Sequence, residues 1–67
     1  MPLTRTMHGV ICRIVEEEFR AVGIEPSGDV TASWIDRAAG QAFDSTMQLE
    51  SFRDEVRAEA AAAAEGK

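Results

Sequence analysis

From Met7 to Val22 the apolar residues recur at the period of an α-helix, and no other stretch of the chain restricts its fold as tightly. With successive side chains about 100° apart, Val10, Ile14, Met7, Ile11, Val22, Val15 and Phe19 fan out in one arc of about 180°. Glu18 falls inside that arc, between Met7 and Ile11. An ionised carboxylate cut off from water and from any partner is too costly to persist. Three outcomes satisfy it: the carboxylate bends out to water near the end of the helix, it pairs internally with Arg37, Arg53 or His8, or it meets a basic group on another chain.

The end of this helix is written clearly. Gly23 can adopt the left-handed conformation that closes a helix, Ile24 can fold back as its apolar contact, and Pro26 cannot continue it. The start is less sharply marked. Thr4 or Thr6 can cap it, but Gly9 leaves open an extended segment over residues 2–8. On the polar side Glu16 and Arg20 stand at i and i+4 in the favourable order, with Arg13 and Glu17 as a weaker pair.

EPSGD reads as a loop, after which Asp29 or Thr31 can cap a second helix. On that helix Val30, Trp34, Ile35, Ala38, Ala39, Ala42 and Phe43 cover about half the circumference. Its middle is slim because Ala38, Ala39, Gly40 and Ala42 are small. Gly40 costs roughly 1 kcal/mol of helix propensity relative to Ala and so marks either close packing or a bend. Ser45 and Gln48 have the spacing of a capping box and open a third helix. Its stripe of Leu49, Phe52, Val56, Ala60 and Ala63 is narrow, and the Ala tract that follows has little to bury and is expected to fray before Gly66.

The expected fold is therefore all-α, a small three-helix domain with helices near 7–22, 30–43 and 46–64. A chain of 67 residues removes only roughly 60% of its unfolded surface from water. One cysteine excludes an intramolecular disulfide. Two wide apolar arcs and one narrow stripe leave a patch that a soluble monomer seldom exposes, so self-association or a partner chain is expected to complete the domain. Ile11, Val15, Glu18, Phe19, Val22 and Trp34 are the expected partner-binding residues, with Trp34 as the aromatic anchor.

Charge narrows the partner, whose surface is expected to be basic or mixed against a net negative chain. The formal net charge is −5 and the arginines are scattered, which argues against tracking nucleic-acid phosphates or an anionic membrane. No stretch approaches the ~20 apolar residues of a membrane span. The N-terminus lacks the apolar core of a secretory signal, and with a lone thiol the expected location is cytoplasmic.

Chemistry is sparsely represented. His8 and Cys12 share a helical edge, a spacing seen in activated thiolates and, across two chains, in zinc sites. Cys12 is read instead as a small apolar residue at the border of the core, and no catalytic, metal or cofactor site is expected. The function expected is that of a non-enzymatic protein–protein interaction module: a regulator, adaptor, inhibitor or assembly component. The alternative is a DNA-binding regulator, because IDRAAGQAFDSTMQLESFRDEV loosely resembles a helix-turn-helix, although Glu50, Asp54 and Glu55 stand where phosphates would need cations.

Overall fold

A computed structural model describes residues 4–41, 43 and 45–66 and contains three α-helices. They are α1 (Arg5–Ala21), α2 (Gly28–Ala39) and α3 (Thr46–Glu65), and the described residues include no strand. Both α2 and α3 lie along α1, which is the middle element of the domain.

Local chemistry sets the helix ends. The Thr4 hydroxyl accepts from the Met7 N–H at 3.1 Å, so α1 is helical from Arg5 and runs straight through Gly9. At its other end Gly23 has φ 81°, a conformation available to glycine without steric cost. The Gly23 N–H donates to the Arg20 carbonyl and the Ile24 N–H to the Phe19 carbonyl, both at 3.0 Å. That pair of bonds is the Schellman closure the sequence announces, and Ile24 packs against the core as its apolar contact.

The second helix departs from expectation at both ends. Its cap is Ser27, whose hydroxyl accepts from the Val30 N–H at 3.2 Å; neither Asp29 nor Thr31 fills that role. Asp29 sits instead in the first turn, where the helix dipole favours a negative charge. The helix stops at Ala39, and Gly40 is its C-cap, so the glycine marks an end and not a bend within a longer helix. Phe43 lies beyond it, while Ala42 falls outside the described residues. The capping box of α3 forms as read: the Ser45 hydroxyl accepts from the Gln48 N–H at 3.4 Å, and the Ser45 N–H donates to the Gln48 side-chain oxygen at 3.1 Å. The Ala tract is helical through Glu65.

The core joins Ile11, Ile14, Val15 and Phe19 of α1, Trp34 and Ala38 of α2, and Phe52, Val56 and Ala60 of α3. Phe52 is its hub. It meets Trp34 edge to face at 5.4 Å between ring centroids and Phe43 at 5.7 Å, separations and orientations that aromatic quadrupoles favour. Because α1 is covered from two directions, its wide arc is filled by its own neighbours. Ile11 and Val15 have no exposed surface, and Phe19 and Trp34 retain 3% each. The seam expected to await another chain is thus closed within one chain at these four positions. Of the apolar residues named for it only Val22, 39% exposed, faces solvent.

Candidate functional site

Glu18 is the buried acidic residue of the core region, and it is paired. Arg57 Nε donates to one carboxylate oxygen at 2.8 Å and Arg53 Nη1 to the other at 2.8 Å, with Arg57 Nη2 at 3.5 Å from that second oxygen. Arg53 also donates to Glu17 at 3.2 Å. Of the internal partners named from sequence, Arg53 is present and Arg37 is engaged elsewhere, 3.6 Å from Glu59 and 4.3 Å over the Trp34 ring. Arg57 was not among those candidates. Its position is nonetheless encoded, since Arg53 and Arg57 are four apart on α3 and share a face.

This clamp explains a charge on an apolar arc. The Glu18 side chain is only 11% exposed, while those of Arg53 and Arg57 are 35% and 59% exposed. The carboxylate sits at the wall between α1 and α3, and the guanidinium groups reach it from the water side. The hydrogen bond from Arg57, followed by that from Arg53, holds the Glu18 carboxyl below the usual glutamate range against the opposing effect of burial. A carboxyl that releases its proton more readily folded than unfolded contributes stability above the ordinary glutamate value near 4.5, and loses it as the pH falls through the lower folded-state value. The melting-temperature gap between wild type and Glu18→Gln is therefore expected to narrow from pH 7 to about pH 3. An unchanged gap between those two pH values would contradict the clamp.

Along the same α1–α3 boundary, toward the N-termini of both helices, a groove of about 560 Å³ opens. Val10, Ile14 and Leu49 give it an apolar lining, and Arg5, Arg13, Arg53 and Glu50 supply its charges. No residue of α2 contributes. Arg20, Arg37, Arg53 and Arg57 are all held in ion pairs, whereas Arg5 and Arg13 have none among the described residues. Both are exposed and eight residues apart on α1, which is about 12 Å along a helix axis. The expected Arg13 and Glu17 pair does not form, because Glu17 turns to Arg53. That leaves Arg13 free at the groove.

Gly9 also lines this groove, and a Cβ built on it meets no atom within 4 Å. A methyl group there meets open space and would not disturb the fold. Gly9→Ala is expected to add about 0.5–1 kcal/mol, because Gly in a helix interior carries a backbone-entropy cost that Ala avoids. In a domain this small that is a rise of roughly 2–8 °C in Tm, readable by circular dichroism; a fall would mean that the backbone at Gly9 is not helical.

The remaining candidates form no comparable site. Cys12 Sγ lies 3.8 Å from His8 Nδ1 on an exposed edge of α1, outside the groove. Among the described residues no three His, Cys, Asp or Glu side chains are grouped to hold a metal ion. Glu50, Asp54 and Glu55 are exposed along α3. No described helix is long and apolar enough to cross a membrane. The chain matches no family model, and neither a curated protein nor a solved structure is significantly similar to it.

Proposed function

We propose that the protein is a non-enzymatic protein–protein interaction module that binds a partner through an apolar helical surface, and that this surface is the α1–α3 groove. One observation carries the reading: Val10, Ile14 and Leu49 line an open groove whose rim holds the two arginines left without an ion pair among the described residues. Helix-binding grooves have this form, an apolar floor that supplies affinity and rim charges that set orientation. The residues first expected to make the interface take a different part in this reading. Ile11, Val15, Phe19 and Trp34 build the rigid scaffold, Glu18 fixes α3 against α1, and Val22 lies at the far end of α1 from the groove. A core closed in one chain supports a reading in which the partner is not a second copy.

Site-specific photocrosslinking in the native cell tests the proposal. A photoreactive side chain at Thr6 or Thr46, both on the groove, is expected to capture a discrete protein. The same group at Ala62, exposed near the other end of α3, is expected not to capture it. Capture at the groove should weaken when Gly9→Trp places a bulky ring on its lining. Equal capture from all three positions, or none from any, would overturn the reading.

A further inference from the structure

Resting on the groove reading, we infer that the occupant is an acidic amphipathic helix of another protein, lying along α1 with two carboxylates about two turns apart that pair with Arg5 and Arg13. The argument is one of charge placement. The chain as a whole has a net charge of −5, yet the charged lining of the groove is three arginines against Glu50 alone. Arg53 is already committed to Glu17 and Glu18, so Arg5 and Arg13 are the cations with capacity to spare. Both project from one helix, which fixes their separation at about 12 Å along its axis. A partner helix running alongside matches that interval with acidic residues seven or eight apart, while its own apolar stripe meets Val10, Ile14 and Leu49. Glu50, on the α3 rim, repels the same flank and favours the carboxylates on the α1 side.

A peptide titration of the full chain decides the matter. Three synthetic amphipathic helices share one Leu stripe: the first carries Glu at i and i+7 on one flank, the second carries Lys at those positions, and the third has the two Glu moved to adjacent positions. Methyl resonances of Val10, Ile14 and Leu49 report the groove, and those of Val56 serve as a remote control. The spaced acidic peptide is expected to bind at these methyls with a Kd of order 10–100 µM, and more weakly as salt is raised. The Lys and adjacent-Glu peptides are expected to bind at least about tenfold more weakly, as is the spaced peptide to the Arg5→Ala/Arg13→Ala variant, where two rim charge pairs are lost. Gly9→Trp, a bulky ring on the groove lining, should weaken binding. The helical content of that variant separates a blocked groove from a misfolded chain.

Equal binding of the acidic and Lys peptides, a preference for the Lys peptide, or no binding of the spaced peptide up to about 1 mM each overturns the inference. Groove shifts that depend on protein concentration alone would place a second copy there and overturn it too. Failure of the peptides with successful, Gly9→Trp-sensitive crosslinking leaves the groove as a docking surface for a partner of other chemistry. Failure of both removes the groove itself.

Discussion

Phe52→Ala is expected to leave the chain largely without fixed tertiary structure at 37 °C. Phe52 has no exposed surface and is one of the largest fully buried side chains. Truncating a buried Phe costs about 3–5 kcal/mol, through lost transfer free energy plus the cavity that remains. The site cannot collapse easily, because the ring is wedged between Trp34 on α2 and Phe43 in the link to α3. Those two edge-to-face contacts, together with the exposed Arg37–Glu59 ion pair, join α2 and its following segment to α3; the backbones of α2 and α3 have no close approach of their own. A domain of this length holds roughly 3–10 kcal/mol in total, so the loss is comparable with the whole stability. Urea titration followed by near- and far-ultraviolet circular dichroism checks this. Retention of a cooperative transition with a loss under about 1 kcal/mol would show that the aromatic hub is not what joins α2 to α3.

Glu18→Leu is expected to cost about 1–2 kcal/mol, an intermediate value with a specific reason. Breaking a fully buried ion pair by deleting one partner costs about 3–5 kcal/mol, since the other charge is stranded away from water. Exposed pairs are worth about 0–1 kcal/mol. Here the carboxylate is buried and the guanidinium groups are not, so after the substitution Arg53 and Arg57 turn to solvent and avoid most of the penalty. What remains is the loss of short charge-assisted hydrogen bonds, offset in part by the apolar side chain that replaces them. A double-mutant cycle between Glu18→Gln and Arg53→Gln isolates the pairing from the packing. A coupling of about 0.5–1.5 kcal/mol is expected, and Arg57→Gln is expected to lower stability less than Arg53→Gln because Arg57 is more exposed. Zero coupling would mean that Arg53 takes no part in the clamp.

Much of the helical framework was legible because the signals were local. The Gly23 and Ile24 pair, and Ser45 with Gln48, each act within one turn of their own helix, and both close as their spacing implies; of the two candidate caps at the start of α1, Thr4 and Thr6, it is Thr4 that caps. The cap of α2 was ambiguous for a physical reason: Ser27, Asp29 and Thr31 are all competent cap residues, and only the path of the preceding loop selects Ser27. Gly40 was ambiguous in the same way, and the chain ends the helix there.

What a helical wheel cannot supply is the number of neighbours. The arc of α1 looked too wide for its siblings because a wheel measures angle and not which helix lies in the middle. Once α1 is placed between α2 and α3, Ile11, Val15 and Phe19 are covered from both sides. The remaining opening then falls at the edge of the arc, at Val10 and Ile14, and not at its centre. The groove was hidden for a related reason, since it combines the margins of two stripes that are remote in sequence. Its one local signal was Arg5 and Arg13, eight apart and therefore close to one face of α1.

The central claim is that one chain covers its own core and leaves the α1–α3 groove for a partner. The most direct test is the melting temperature of the isolated protein over a hundredfold dilution, about 1 to 100 µM, because association that stabilises the fold makes Tm depend on concentration. The account predicts the same Tm and the mass of a 7.3 kDa monomer throughout. A Tm that climbs with concentration, accompanied by a dimer, would contradict it.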